Sequence, residues 1–468
     1  MFSKLYNNKF FITVVILSGF LISFLSVLPL KIEQMGTNPF FIFQILPIGY
    51  WIGIVVTVSA LMYVIPRLQE NYYRVLFIAS SILLILALRM VFPLAFSSVP
   101  AYEPDAINYM NTVNTWVTSG IDLGVVGAYQ HNFPMSFMVA FAFVKLGVPL
   151  DAFYRIAPFV IYAINMILLY LIIEELMPEN QKKTAIPALS IFLFSFSSLG
   201  YWVTVHYSPD LFGTLMFFVC LYLGIKFAKA GNWTFKAMLP LGLSIFILIL
   251  SHHLSTLYLI ITFFGFSLSS WFFKSSQFKR GTLTFFILAI YTYTLWFAYG
   301  TLVYPSFFNV YIYFSGFSDV PQQVSSAGWI NNLTFTIYPI FIVSLFLIEF
   351  LKIIHVERPN SSIKNYVLSK LKEISLRESG NNIFTFSMGF ILIFLLFIIG
   401  FAVPVLLGTR ILEVLLIGMY PLASISLYKF EKNNSRRTKI ILYLLILAVV
   451  LTSIYRYYSQ IQRRVILG

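Results

Sequence analysis

Residues 10–30 read FFITVVILSGFLISFLSVLPL. An α-helix rises 1.5 Å per residue, so about twenty apolar residues cross the hydrocarbon layer of a bilayer, which is roughly 30 Å thick. Lys4 and Lys9 precede this run and no small-residue cleavage site follows it. The run is also too long for the apolar core of a secretory signal. We therefore expect an uncleaved first membrane span.

Similar apolar blocks recur along the 468 residues, of which 59% are hydrophobic and only 10% are charged. Soluble domains carry about 25% charged residues. Backbone polar groups in lipid need internal partners, and the alternating pattern of a membrane barrel is absent, so the blocks are predicted to be helices. About thirteen spans are predicted, near 10–30, 40–65, 75–95, 153–175, 185–203, 211–228, 237–251, 255–273, 282–300, 333–351, 383–407, 411–428 and 438–454. The predicted fold class is all-α, with one polytopic transmembrane domain over residues 1–468.

The net charge of +14 marks topology rather than a nucleic-acid partner. Most basic residues fall in alternate loops if the N-terminus is cytoplasmic and segment 133–148, which opens near Pro134, lies along the interface. If that segment crossed, the later basic loops would violate the positive-inside bias. This topology predicts an outer loop at 96–152 that holds the interfacial segment, a second outer loop at 301–331 and a cytoplasmic loop at 352–382. The single cysteine, Cys220, excludes an intrachain disulfide.

Residues 101–109 read AYEPDAINY and open the first outer loop. Pro104 suits the first turn of a helix, so Glu103 and Asp105 are expected to converge at a helix N-terminus beside the membrane. The two carboxylates are therefore a candidate functional site. An ordinary acidic helix cap is the alternative.

Histidines and one further aspartate also cluster at predicted outer ends, namely His131, His206, His252, His253 and Asp210. The pair at 252 and 253 lies between two short apolar blocks. It is suited to binding a divalent ion or a phosphate, or to hydrogen bonding between helices. Neighbouring residues on a helix point about 100° apart, so the two are not expected to bind one ion together.

Arg410 lies where a late span is predicted to begin on the outer side. A guanidinium close to the hydrocarbon can hold a lipid phosphate through two hydrogen bonds. The alternatives are a pair with Glu413 or snorkelling of the side chain to the headgroups.

In their order along residues 75–230, these motifs resemble the GT-C superfamily of lipid-dependent glycosyltransferases. The resemblance rests on Asp105-Ala-Ile-Asn-Tyr109, His131-Asn-Phe-Pro134, Phe153-Tyr-Arg155-Ile-Ala-Pro158, the basic pair Lys182 and Lys183, and His206-Tyr-Ser-Pro-Asp210. It implies a GT-C-like fold with a catalytic core over 75–230 and a juxtamembrane helix in the first large outer loop.

The resemblance implies a hexosyl- or pentosyltransferase in a cell membrane. Its sugar would come from a polyprenyl-phosphate donor and pass to a lipid, glycan or protein acceptor at the outer face. Asp105 is then the expected general base, with Glu103 and Asp210 orienting the acceptor or holding Mg²⁺ or Mn²⁺. The expected substrate-binding residues are Tyr109, His131, His206, His252, His253 and Arg410. Membrane lipids are further expected partners, and nucleic acid is not.

Other classes of membrane protein remain as alternatives. A flippase or transporter of lipid-linked saccharides needs polar residues in the middle of its spans, and the predicted spans are nearly free of them. A polysaccharide polymerase or ligase shares the lipid-linked substrates and a large outer loop. A non-catalytic scaffold subunit is compatible with the same acidic clustering.

Overall fold

The computed structural model describes residues 9–32, 41–96, 106–122, 133–177, 185–196, 206–230, 235–272, 276–303, 328–354, 382–400 and 408–467. Within these ranges the named elements are helices, and Ile32 and Phe96 form an isolated parallel β-bridge. The α-helices are α1 (Lys9–Val27), α2 (Phe41–Ile45), α3 (Ile48–Val64), α4 (Asn71–Ala95), α5 (Ala106–Ser119), α6 (Pro134–Lys145), α7 (Leu150–Leu176), α8 (Ala185–Ser195), α9 (Pro209–Ala230), α10 (Phe235–Ile249), α11 (His253–Phe272), α12 (Ser276–Val303), α13 (Gly328–Ile354), α14 (Asn382–Gly400), α15 (Gly408–Asn433) and α16 (Arg436–Leu467).

Seven helical segments in the described ranges are long and apolar enough to cross a membrane. They are Lys9–Val27, Ile48–Arg67, Asn71–Ala95, Leu150–Leu176, Pro209–Ala230, Leu254–Phe272 and Arg436–Tyr455. Each coincides with a predicted span. Shorter apolar segments lie in α8, α10, α12, α13 and α14, so the total of about thirteen spans stays a prediction. The span predicted at 40–65 is divided, because Pro47 begins α3 after the short α2.

Local sequence explains where the site-bearing helices start and stop. The Ser208 hydroxyl accepts a hydrogen bond from the Leu211 N–H at 3.2 Å, and Pro209 occupies the first turn of α9. Pro134 likewise begins α6. Helix α6 ends at Lys145, and two residues later Gly147 has a φ of 96°, in the left-handed region that glycine adopts without strain.

Helices α7 and α9 both start at one end of the helical bundle, and this end is here called the site end. The Tyr207 N–H donates to the Tyr154 carbonyl at 3.1 Å, which places the starts of α7 and α9 together. At the opposite end, Lys229 Nζ lies 3.3 Å from Glu175 Oε2 and joins the last turns of the same two helices. Helices α7 and α9 therefore run side by side in the same direction.

Helix α6 stays at the site end along its whole length. The Tyr207 hydroxyl donates a hydrogen bond to the carbonyl of Ser136, in the first turn of α6, at 2.9 Å. Near its last turn, Phe143 packs on Phe153 in the first turn of α7 at a centroid distance of 5.2 Å. Because the first and last turns both contact the same end of the bundle, α6 lies across that end. The interfacial placement of segment 133–148 relative to a membrane stays a prediction.

Candidate functional site

A histidine and a carboxylate meet at the site end, where α9 begins and α10 passes into α11. His252 Nε2 contacts Asp210 Oδ1. The imidazole is 5% exposed and the carboxylate is 37% exposed, so the pair connects the protein interior to an accessible surface. Asp210 occupies the first turn of α9, where the helix dipole stabilises a negative charge.

Ser255 fixes the orientation of the His252 ring. The Ser255 N–H donates to His252 Nδ1 at 3.3 Å, and its hydroxyl lies 2.9 Å from the same nitrogen. Because Nδ1 accepts the backbone N–H, the ring proton is assigned to Nε2, which donates to the Asp210 carboxylate. The imidazole is thus a fixed donor to Asp210.

A glycine allows α9 to approach this turn closely. A Cβ built on Gly213 would lie 2.4 Å from His252 Cβ and 2.9 Å from Ser255 Oγ. Real Cβ atoms essentially never make contacts this short. The Asp210–His252 pair therefore depends on the absence of a side chain one turn further along α9.

Aromatic rings connect α5 to the same region. The His206 ring is fully buried. Its centroid lies 5.9 Å from that of Tyr109 and 6.3 Å from that of Tyr154, with interplanar angles of 26° and 4°. The first turn of α5 therefore lies against the segment that leads into α9. Asp105 directly precedes Ala106, the first residue of α5.

Backbone contacts complete the support of the site end. The Met135 N–H donates to the Leu250 carbonyl at 3.2 Å and ties α6 to the turn before His252.

Burial, with a smaller contribution from Tyr154, raises the pKa of the Tyr207 phenol well above its ordinary value. That phenol therefore stays protonated and serves as the donor to α6.

A charged side chain holds the end of α4 and the residue that follows it. Arg155 Nη1 donates to the Pro93 carbonyl at 2.6 Å and to the Phe96 carbonyl at 3.0 Å. Its Nε donates to Asp151 Oδ2 at 2.5 Å. The carbonyls at the end of a helix lack partners within that helix, and a guanidinium satisfies them well.

The structure brings together part of the predicted set. Asp210 pairs directly with His252, while Tyr109 packs on His206. Glu103, Asp105 and His131 lie outside the described residues, as do the side chains of His253 and Arg410, although the backbone places these last two in the first turns of α11 and α15.

The described residues alone do not supply a metal centre. None of them form a group of three or more potential His, Cys, Asp or Glu ligands. Asp210 is the one predicted ligand among them, and one of its oxygens contacts His252. Mg²⁺ or Mn²⁺ binding by Glu103 and Asp210 therefore stays a proposal.

Sequence reasoning did not assign site roles to Ser255, Gly213, Tyr154 or Arg155. Ser255 follows His252 by three residues, a spacing that allows local side-chain hydrogen bonding at a helix start. Asp151 and Arg155 are spaced for an ion pair within one helix. The role of Gly213 has no local signal, because it depends on a turn far along the chain.

No family model matches the chain, and no curated protein matches it. Among solved structures, the chain is similar to the archaeal oligosaccharyltransferase AglB from Archaeoglobus fulgidus, in complex with an inhibitory peptide and a dolichol-phosphate, at a TM-score of 0.46 and 12% identity. The similarity covers 84% of this chain and 56% of that one. The chain thus spans little more than half the length of that oligosaccharyltransferase.

Proposed function

We propose that this chain is a membrane glycosyltransferase that moves a sugar from a polyprenyl-phosphate donor to an acceptor at the outer face of the membrane. The observation that carries the proposal is the assembly of Asp210, His252 and the first turn of α5 at one end of an apolar helical bundle. A lipid-linked donor explains why the polar groups lie at a bundle end that an acceptor can reach.

The chain order supports Asp105 as the group that meets the acceptor. It precedes α5 by one residue, and Tyr109 in the first turn of α5 packs on His206. His206 in turn lies four residues before Asp210. These contacts favour a site in which carboxylates from the two segments act on one substrate.

The proposed reaction is a single displacement. An acceptor hydroxyl oxygen attacks the anomeric carbon of the donor while the bond from that carbon to the phosphate oxygen breaks. The bonding electrons leave with polyprenyl phosphate, and the hydroxyl proton passes to the Asp105 carboxylate. Asp210, held by His252 and 37% exposed, orients the acceptor. Inversion at the anomeric carbon follows from one displacement.

The remaining predicted residues belong to the same proposal. Arg410 balances the charge of the leaving phosphate. Tyr109, His131, His206 and His253 shape the substrate site, and Glu103 supports Asp105 or joins Asp210 at a divalent metal. Metal dependence is tested by measuring transfer with chelator and then with added Mg²⁺ or Mn²⁺.

Asp105→Asn tests the proposal directly. An amide cannot accept the acceptor proton, so transfer from a polyprenyl-phosphate sugar should fall by about 10²- to 10⁴-fold. The purified full chain is assayed with radiolabelled lipid-linked sugars, and its fold is checked by its melting temperature. Near-normal transfer by a folded variant would remove Asp105 from the chemistry.

The donor class is tested with the same preparation. The wild-type chain should transfer sugar from the lipid carrier and leave the matching nucleotide sugar unused. Transfer from a nucleotide sugar without lipid would place the chemistry elsewhere. Movement of the intact lipid-linked sugar between leaflets, without bond cleavage, would instead identify a flippase.

A further inference from the structure

Helix α5 presents an uncharged face of amides and hydroxyls. The segment Ala106–Ser119 reads AINYMNTVNTWVTS and contains no charged residue, in a chain whose net charge is +14. At 100° per residue, its asparagines, threonines and terminal serine fall on one side of the helix. These polar residues are Asn108, Asn111, Thr112, Asn114, Thr115, Thr118 and Ser119.

The opposite side of α5 fastens the helix to the bundle. Ala106, Val113 and Trp116 are buried. Trp116 packs on Phe137 of α6 at a centroid distance of 5.9 Å. Lys145 at the end of α6 donates to the Val117 carbonyl at 3.0 Å. The helix is therefore anchored along its apolar side, while the asparagines on its polar side are exposed.

The asparagine amides on this face are available to a ligand. Asn108, Asn111 and Asn114 are exposed, and each side chain offers two donors and an acceptor. The threonines differ, since Thr112 and Thr115 donate their hydroxyl protons to carbonyls four residues earlier at 2.9 Å. The threonine oxygens still accept hydrogen bonds. A row of groups that both donate and accept matches the hydroxyl groups of a sugar chain.

Charge and polarity also limit which ligands fit this face of α5. Amides in hydrocarbon would lose the hydrogen bonds that they make with water, so this face does not belong against lipid tails. A phosphate or nucleic acid would select cations, and the face carries none. The face begins beside Asp105 and extends for several helical turns, which is longer than a single transferred sugar requires.

We propose that the Asn108–Asn111–Asn114 face of α5 binds the neutral saccharide chain of the acceptor. This inference rests on the proposed function, in which Asp105 receives the proton of the acceptor hydroxyl. The bound glycan would lie along α5, with its reacting end beside the first turn and its earlier sugars over the asparagines. The face thereby selects a neutral oligosaccharide over a phosphorylated or acidic one.

The test uses the full chain in nanodiscs and neutral trisaccharides of glucose, mannose or N-acetylglucosamine as probes. Saturation-transfer NMR should detect binding of at least one of them to the wild type. The triple variant Asn108→Ala, Asn111→Ala, Asn114→Ala should raise the dissociation constant by about tenfold or more, since each amide contributes hydrogen bonds. Its melting temperature should not fall, because alanine is the best helix former.

The control is Leu146→Ala, which shortens an exposed side chain just after α6, on another segment, without removing a hydrogen-bonding group. It should bind the trisaccharide as the wild type does. Equal binding by the wild type and the triple variant, or no binding of any probe by the wild type, would overturn the inference. So would a loss confined to a polyprenyl-phosphate hexose, which would place the donor on this face.

The saccharide-binding proposal and the proposed function can each fail while the other holds. Transfer from a lipid-linked sugar that depends on Asp105, combined with unchanged trisaccharide binding by the triple variant, would reject the saccharide face alone. Saccharide binding that depends on the asparagines, without any transfer activity, would reject the glycosyltransferase and leave a carbohydrate-binding membrane protein.

Discussion

Gly213→Ala should open the contact between α9 and the His252 turn. The new Cβ would lie 2.4 Å from His252 Cβ, whereas ordinary van der Waals contact begins near 3.4 Å. The difference, 3.4 minus 2.4, requires the two segments to separate by about 1 Å. A movement of this size lengthens the Asp210–His252 contact beyond hydrogen-bonding range.

Two energies contribute to the expected loss of stability. Overpacking a close helix contact costs about 1–3 kcal/mol. A hydrogen bond to a charged group contributes about 1.5–3 kcal/mol, and the lower end applies because Asp210 is 37% exposed. The free energy of unfolding should therefore fall by about 2.5–4.5 kcal/mol.

Gly242→Ala is the matched control. Gly242 lies within α10, and a Cβ built there meets nothing within 4 Å. The same substitution should be neutral or stabilise the protein by up to about 1 kcal/mol, because alanine favours the helix. Unfolding in mixed SDS micelles, supported by melting temperatures in detergent, compares the two variants. If Gly213→Ala were as stable as Gly242→Ala, the close approach of α9 to the turn would be refuted.

The other predictions concern Arg155 at the end of α4, binding of the polyprenyl-phosphate donor by Arg410, and the membrane topology. Arg155→Gln removes the guanidinium from the carbonyls of Pro93 and Phe96, so the free energy of unfolding should fall by about 1.5–3 kcal/mol; an unchanged melting temperature would contradict this role. Arg410→Ala should weaken binding of a polyprenyl phosphate by about 2–5 kcal/mol if the arginine forms a buried pair with the phosphate, as calorimetry can measure, and by much less if it snorkels. Reporters fused after residues 183 and 127 should lie in the cytoplasm and outside, respectively; the same compartment for both would contradict the interfacial placement of α6.

The sequence alone predicted an all-α membrane protein, because this property depends on local composition. Blocks such as residues 10–30 and 75–95 are apolar over a membrane thickness, and both correspond to helices long enough to span. Proline marked the starts of α6 and α9 for an equally local reason, since it fixes φ and lacks an N–H. Asp210 and His252 were identified singly, as polar groups at predicted span ends.

Only the tertiary structure decided which of these groups meet. Asp210 and His252 belong to different helical segments, and their contact requires α9 to pack against the turn before α11 at a distance that Gly213 alone permits. The polar face of α5 was likewise present in the sequence, but its exposure depends on Trp116 and Phe137 packing behind it. Hydropathy and motif spacing report on each segment separately, whereas side-chain contacts between segments depend on how closely and in which orientation the helices pack.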